Sequence, residues 1–245
     1  MSTRLGCWLF FVCLLNSDLF AVAPKQFRLS GIRAVDSVRK KGLSMDPMMI
    51  SSVLHINREY RLSWQLEKLR AHLLANPPRG RRPMLRFAEP GFAASESEVK
   101  LLKGIDRITA SALYCDIYPL PWDFYSELET MAARGEYYAT HALLAAVILQ
   151  QKKCSVDRDR LTGIQQGLER TVAKIAGSQQ PLNDLRIEAV LMLLLAGGRD
   201  AIRAEWIAEI YLAQSPDGSY FRNDHSTVLA GWAMLEYARL QGGER

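Results

Sequence analysis

The sequence predicts an all-α protein built from layered α/α hairpins. Three segments are apolar on nearly every face of a helix, and charged amphipathic segments lie between them; the apolar segments are 138–150, 185–196 and 226–237. A helix that is apolar all round has to be buried on all sides, and amphipathic helices can cover it from outside. No stretch of useful length alternates apolar and polar residues as a half-buried strand does. These observations predict an inner and an outer layer of helices.

The composition allows one domain with a substantial core. The chain has 245 residues, of which 49% are hydrophobic and 23% are charged, and its formal net charge is +5. This length and this hydrophobic share are sufficient for a single globular domain. The positive charge is spread along the chain except for four arginines within 79–86, which lie among prolines and a glycine and are predicted to form an exposed loop. Interleaved aromatic residues are missing there, so no nucleic-acid partner is expected.

Residues 1–23 have the pattern of a secretory signal peptide. Arg4 supplies the positive charge, Leu5–Leu15 forms an apolar stretch of suitable length, and Ala21–Ala23 matches an A-x-A cleavage site. We therefore expect a secreted or periplasmic protein. Pro24 follows the cleavage site directly and is expected to hinder processing, so attachment to a membrane through a retained signal is the alternative.

The cysteines leave two alternatives open. Cys7 and Cys13 lie in the predicted signal, so a mature chain keeps only Cys115 and Cys154. In an oxidising compartment these two residues can form one disulfide. Two unpaired buried thiols are the other interpretation, because cysteine packs well as a small apolar side chain.

The first half of the chain has clear helix boundaries. Residues 24–46 are polar and basic with little periodicity, which predicts an N-terminal arm ahead of a single domain at 47–245. Asp46 and Pro47 are typical of the N-cap and first position of a helix, and apolar residues continue at helical spacing to about Ala75.

Two further helices are predicted before residue 136. Ser95 and Glu98 form a capping-box pattern, which predicts a helix that runs to about Cys115. The next helix is predicted from about Trp122 to Arg134, where Gly135 ends it.

From residue 136 onward, apolar and amphipathic helices alternate. The amphipathic segments are 157–176 and 201–213, and they separate the three apolar segments. The apolar helices recur about every 40 to 50 residues, a period typical of helical-hairpin arrays.

The segment Trp206–Glu236 contains the most specific pattern in the chain. Its centre, Gln214–Tyr220 (QSPDGSY), is followed by His225 and an apolar helix. This resembles the Q-x-x-D-G-x-aromatic turn of the α/α-toroid superfamily, which includes terpenoid cyclases and protein prenyltransferase β-subunits. The resemblance implies a partial or open α/α toroid. The D-x-D-D motif of the cyclases is absent, and the zinc ligands of the prenyltransferases have no matching positions, so the resemblance implies a fold and no activity.

A candidate site follows from the predicted layering. The apolar helices should run parallel, because each is followed by a returning amphipathic helix, and their N-termini should open at one end. Polar residues near those helix starts are His141, Glu188 and His225, with Asp224 beside the last; Tyr138, Asp184 and Arg186 are near neighbours. A charged group beside a buried apolar helix is costly unless it has a partner. Converging helix ends are also a place where a pocket forms.

Two functional hypotheses follow for these residues. His141, Glu188 and His225 could bind a divalent metal such as zinc. Alternatively, the histidines could act as acid and base on a carbohydrate-like substrate, oriented by Glu188 or Asp224. The aromatic residues proposed to stack on sugar rings are Trp122, Tyr138, Trp206, Tyr220 and Trp232.

Structural roles are the alternative for each of these residues. His225 and Asp224 can cap a helix, Glu188 can pair with a base, and His141 can be a satisfied core histidine. The competing function is a non-catalytic helical scaffold that binds a partner protein. The chain contains no G-x-S-x-G, H-E-x-x-H or P-loop motif, which argues against the corresponding hydrolases and nucleotide-binding proteins.

Overall fold

The computed structural model describes residues 23–78, 80–152, 154–197 and 202–242. Within these ranges the chain is helical and has no strand, which confirms the predicted all-α class. The helices are α1 (Pro24–Arg39), α2 (Pro47–Glu59), α3 (Glu67–Ala75), α4 (Glu96–Leu101), α5 (Gly104–Leu113), α6 (Phe124–Arg134), α7 (Glu136–Gln151), α8 (Arg158–Ala176), α9 (Asp184–Leu195), α10 (Ala204–Leu212) and α11 (Asp224–Gly242). Short 3-10 helices lie at Gly42–Ser44 and Arg82–Phe87.

The predicted signal peptide lies almost entirely before the first described residue, Ala23. Apart from Ala23, the predicted signal peptide lies outside the described residues. Of the helices that the structure describes, none is long and apolar enough to cross a membrane.

The helices are arranged in two layers, as the alternating pattern predicted. Helix α7 packs between α5 and α9, and α9 packs in turn on α11, which gives an inner row of four helices. Helix α8 covers α7 and α9 from outside, while α6 and α10 lie in the same outer position beside their neighbours in sequence. The row continues beyond α11, because α1 packs along α11 and α2 contacts it as well.

Burial explains this division. Every residue of α9 from Arg186 to Leu194 is buried, whereas α8 buries only residues at intervals of three or four along one stripe. Burying a leucine side chain stabilises a fold by roughly 2 kcal/mol. An inner helix such as α9 therefore contributes hydrophobic stabilisation from all of its faces. One cluster of buried side chains extends from Phe27 to Leu240.

The predicted N-terminal arm is wrong, because most of residues 24–46 form helix α1. This helix packs along α11 through a stripe of mostly small residues that includes Ser30, Gly31 and Ala34. A Cβ atom on Gly31 would lie 2.7 Å from the carbonyl oxygen of Gly231, so the two backbones are in close contact. The prediction failed because glycine and serine carry this contact, and a search for large apolar residues does not register them.

The long helix predicted from Pro47 to about Ala75 is in fact two helices, α2 and α3. The chain turns between them, with positive φ angles of 50° at Arg61 and 59° at Ser63. The Asn57 side chain accepts a hydrogen bond from the backbone N–H of Trp64 (3.1 Å) and donates to its carbonyl oxygen (3.3 Å). These bonds replace the hydrogen bonds that Trp64 would make in a helix. They leave the apolar spacing intact, which is why that spacing predicted one helix across the end of α2.

The helix predicted from Ser95 to about Cys115 is also divided. Its capping box is present, since Ser95 accepts from the backbone of Glu98 and the Glu98 side chain accepts from the backbone of Ser95. Leu102 and Lys103 then have extended backbone conformations, which separate α4 from α5.

The arginine-rich segment is only partly the exposed loop that the sequence predicts. Residues 82–87 form a 3-10 helix, and Arg86 is 8% exposed. Arg86 makes two hydrogen bonds to Asp116, of 2.8 and 2.7 Å, which allow a guanidinium group to be buried.

Cys115 and Cys154 form a disulfide, with their Cα atoms 5.6 Å apart. The sequence left open a disulfide or two unpaired thiols, and the structure contains the disulfide. The disulfide joins the segment after α5 to the segment after α7, where both inner helices end.

The Q-x-x-D-G-x-aromatic turn fastens α1 to the rest of the array. Gln214 donates from Nε2 to the carbonyl oxygens of Ser30 (3.0 Å) and Gly218 (3.1 Å), and Ser30 donates back to its Oε1 at 2.9 Å. Gly218 has a φ of 92°, and a Cβ there would lie 2.7 Å from the carbonyl oxygen of Arg33. The turn therefore needs glycine at this position, and its contacts are structural.

Candidate functional site

A cavity of about 480 Å³ lies where the inner helices begin. Its wall consists of side chains from α2, the 3-10 helix Arg82–Phe87, α5, α7, α9 and α11. The four predicted site residues, His141, Glu188, Asp224 and His225, all line it. The parallel course of the inner helices brings residues from three helix starts to one place, as the sequence analysis expected.

Asp184 and His225 form the polar centre of the site. Nδ1 of His225 lies 3.0 Å from both carboxylate oxygens of Asp184. The same carboxylate accepts hydrogen bonds from Ser226 Oγ (2.6 Å) and from the Tyr137 hydroxyl (2.9 Å). Because the carboxylate accepts a hydrogen bond from Nδ1–H, the orientation of the imidazole is fixed, and its Nε2 faces away from Asp184.

Glu188 is the most deeply buried acid of the site. It is 3% exposed and lies one helical turn after Asp184 on α9, so both carboxyl groups project from one face of the helix. Thr140 donates a hydrogen bond to its Oε1, and Nε2 of His141 lies 3.7 Å from the same oxygen. Burial raises the pKa of Glu188 to about 7 despite the hydrogen bond from Thr140, which favours the ionised form.

The two histidines have opposite electrostatic environments. Burial lowers the pKa of His141 to about 4, so this imidazole is neutral at physiological pH. For His225, the hydrogen bond to Asp184 outweighs burial, and the charges of Asp184 and Glu188 act in the same direction, so its pKa is raised. Burial opposes ionisation of Asp184, but the hydrogen bonds from His225 and Ser226 lower its pKa overall. The site therefore favours the charged forms of Asp184 and His225 and the neutral form of Glu188.

Asp224 does not have the role that the sequence suggested. The prediction made Asp224 a residue that orients a histidine, but its carboxylate pairs with Lys41. Asp184 takes that role, because α9 presents its first turn to the first turn of α11. Asp224 remains part of the cavity wall.

One group of side chains has the donor atoms and spacing for a metal ion. Ligand atoms of Asp184, Glu188 and His225 lie within 4.8 Å of one another. Carboxylate and imidazole groups suit zinc. However, Asp184 already accepts from Tyr137, Ser226 and His225, and these bonds compete with a metal. His141, which the sequence hypothesis placed among the ligands, is not a member of this group.

Most of the remaining wall of the cavity is apolar. Four methionines, Met48, Met49, Met84 and Met192, line it together with Phe87, Leu144 and Trp232. Of the five aromatic residues predicted to stack on sugar rings, only Trp232 lines this cavity. The prediction for Trp122 is wrong in this respect, because its side chain is 95% exposed and lies at a different surface. An unbranched methionine adapts its shape to a ligand more readily than a rigid aromatic platform does.

Sequence reasoning missed three hydroxyl groups that complete the site. Tyr137, Thr140 and Ser226 donate to its carboxylates. Each lies within four residues of a predicted site residue on the same helix, but hydroxyl-bearing residues are common there, and only the rotation of each helix decides which ones face the site. Arg81 and Asp106, paired at 2.7 Å, also line the cavity.

No protein-family model, curated protein or solved structure was found to match this chain. The α/α-toroid resemblance therefore stays a prediction.

Proposed function

We propose that this protein binds a small organic molecule in the cavity at the inner-helix starts and transfers protons to or from it. The observation that carries the proposal is the arrangement of Asp184, His225 and Glu188, an oriented imidazole beside a buried carboxyl group. General acid–base catalysis needs groups within reach of the substrate whose pKa values are close to the working pH. Both groups line the cavity, so a ligand inside it can meet both.

The roles of the two groups follow from their environments. Asp184 stabilises the protonated form of His225, so Nε2 of His225 can donate a proton as a general acid. Glu188, whose pKa is raised to about 7, can accept a proton and has little competition from solvent because it is buried. His141 is neutral and close to Glu188, so it can orient a substrate as a hydrogen-bonding group.

The wall of the cavity indicates the class of ligand. Met84, Met192 and Leu144 provide apolar contact area, while the acid–base groups lie together. We infer a ligand with an apolar body and one polar end. A carbohydrate-like substrate fits this wall less well, because Trp232 is the single member of the predicted sugar platform that reaches it.

The four cavity methionines provide a direct test of binding. A protein labelled with ¹³C at methionine methyl groups is titrated with a library of small amphipathic molecules and followed by NMR. We expect ligands to shift the methyl signals of Met48, Met49, Met84 and Met192. The signal of Met131, buried in α6 and absent from the cavity wall, is the internal control. Ligands that move Met131 equally, or no shifts in the cavity methyls, would contradict the proposal.

The same ligands then test the acid–base groups. We expect Glu188→Gln and His225→Asn to keep the fold and to reduce turnover of any substrate by roughly 10²-fold or more. Asp217→Asn, in an exposed turn that does not line the cavity, is the matched control for loss of one carboxylate. Retained ligand binding with unchanged turnover in both site variants would rule out proton transfer.

A second candidate function has its own observation. Trp122 is 95% exposed and borders a surface cavity together with Tyr118 and Leu120, which favours a surface that contacts another protein. This is the scaffold alternative that the sequence left open. We expect Trp122→Ala to abolish partner binding and to leave ligand binding in the cavity unchanged. We expect the double variant His141→Ala, His225→Ala to lose ligand binding in the cavity and to keep partner binding.

We propose a secreted or periplasmic location for the protein. The Cys115–Cys154 disulfide supports this, because structural disulfides persist in oxidising compartments. Mass measurement of the exported chain tests the predicted cleavage after Ala23.

A further inference from the structure

A second cavity, of about 360 Å³, lies near the other end of the inner helices. On α7 the first cavity is lined by His141 and the second by Gln151, a separation of about 15 Å along a helix. On α11 the corresponding pair is His225 and Glu236. The two cavities share three lining residues, Phe87, Leu144 and Trp232, which lie between them.

The second cavity is rich in positive charge. Four cationic side chains line it, Arg58, Arg86, Lys152 and Arg239. The carboxylates that meet them are Glu59, Asp116 and Glu236, so one positive charge is in excess. His55 also lines the cavity and adds no charge at neutral pH, because burial lowers its pKa to about 4.

The hydrogen bonds show which cation supplies the excess. Arg86 binds both oxygens of Asp116, at 2.8 and 2.7 Å, and Arg239 binds both oxygens of Glu236. Lys152 shares Asp116 with Arg86, and its Nζ is 3.5 Å from the nearer oxygen. Charge-assisted N–H···O bonds are normally 2.7–2.9 Å long, so this contact is loose. An ammonium group with three donors is therefore held at the cavity wall with only a weak partner.

Arg58 and the disulfide fix the surroundings of Lys152. The Arg58 guanidinium donates to the carbonyl oxygens of Phe87 and Ala88, so its charge stays at the wall although Glu59 is a neighbour. Cys154, two residues after Lys152, is bonded to Cys115, next to Asp116. The disulfide therefore holds the chain segments that carry Lys152 and Asp116 close together.

We propose that this second cavity is an oxyanion site, in which Lys152 binds the carboxylate or phosphate group of a small molecule. The neighbouring guanidinium groups of Arg58 and Arg239 add favourable potential. Phe87 and Trp232 at the inner side provide apolar contact for the rest of the ligand. Lysine is a common phosphate-binding residue because its ammonium group acts as a compact charge.

Calorimetric titration with inorganic phosphate, and separately with acetate, tests this site at constant ionic strength. We expect saturable binding to the wild-type protein and a loss of affinity of roughly tenfold or more in Lys152→Gln. Lys100→Gln is the matched control, because Lys100 is an exposed lysine that pairs with Glu96 on α4. Tighter binding of phosphate than of acetate would favour a phosphorylated ligand, and tighter binding of acetate, despite its smaller charge, would favour a carboxylate.

Asp116→Asn gives a test with the opposite sign. It removes the carboxylate that competes for Lys152, so phosphate affinity should rise. No binding of either anion to the wild type, or an equal loss in Lys100→Gln, would overturn the proposal. Glu188→Gln should leave phosphate affinity unchanged. The proposal of an oxyanion site and the proposal of an acid–base site are therefore tested independently.

Discussion

Glu188 is a carboxyl group that the fold buries next to another acid, and its titration should be visible in stability. Its pKa is raised from about 4.5 in the unfolded chain to about 7 by burial. For an acid with a raised pKa, the stabilising neutral form is fully present below the unfolded pKa and is lost as pH rises through the folded one. The folded state is therefore penalised by this residue above neutral pH.

We expect Glu188→Gln to become more stable relative to wild type as pH rises from about 5 to about 8. Each unit of pKa shift corresponds to about 1.4 kcal/mol, so the relative gain should be on the order of 2 kcal/mol. Urea unfolding at several pH values measures it. A difference between variant and wild type that does not change with pH would show that Glu188 keeps an ordinary pKa.

His225 offers a test of which aspartate orients it. The hydrogen bond to Asp184 is the first cause of its raised pKa. We expect Asp184→Asn to lower the pKa of His225 in an NMR titration, because the carboxylate that stabilises the imidazolium is lost. Asp224→Asn is the control, since Asp224 precedes His225 in the sequence but pairs with Lys41. A larger shift in Asp224→Asn would restore the role that the sequence alone suggested.

At the scale of elements, the contact between α1 and α11 depends on glycine. A Cβ on Gly31 would come within 2.7 Å of a backbone oxygen and 2.8 Å of the Leu235 side chain. We expect Gly31→Ala to destabilise the protein by about 1–3 kcal/mol, because forcing atoms into a packed contact costs more than the helix propensity gained. Thermal or urea unfolding measures this change.

The matched control for that substitution lies in α8. Gly163 is also helical, but a Cβ there would meet nothing within 4 Å. Gly163→Ala should therefore stabilise the protein by up to about 1 kcal/mol, since alanine favours helix without a steric cost. Equal effects of the two substitutions would mean that the α1–α11 contact is looser than the structure has it.

Sequence patterns predicted some helices better than others for identifiable reasons. The inner helices α7, α9 and α11 were found because burial on all faces requires an uninterrupted apolar segment. The break between α2 and α3 was missed because one side chain, Asn57, captures the backbone of Trp64, and such a local bond leaves the apolar spacing intact.

The candidate site was predictable at the level of helix ends and less so at the level of pairs. Parallel inner helices share one end, so aligning their starts located His141, Glu188 and His225 around one cavity. The partner of His225 was not predictable, because Asp184 lies on another helix and its contact depends on how α9 and α11 rotate against each other. Sequence spacing favoured the adjacent Asp224, whose side chain points to Lys41.

For the whole molecule, one covalent link joins parts of the array that are distant in sequence. The disulfide connects Cys115 and Cys154, which are separated by 39 positions. A cross-link that closes a loop of this length restricts the unfolded chain and stabilises the fold by about 4 kcal/mol in the chain-entropy model. The link also lies beside Asp116 and Lys152, so the second cavity should be sensitive to it.

We expect a chemical reductant to lower the midpoint of thermal unfolding of the wild-type protein, because the unfolded chain regains the freedom that the disulfide removes. In a Cys115→Ala, Cys154→Ala double variant the midpoint should already be lower, and the reductant should have no further effect. Mass measurement of the unreduced protein checks the state of the bond, since a disulfide leaves the chain two hydrogens lighter. If reductant shifts both proteins equally, the stabilisation comes from elsewhere. If reduced wild type keeps its midpoint but loses phosphate affinity, the disulfide acts on the second cavity and adds little to global stability.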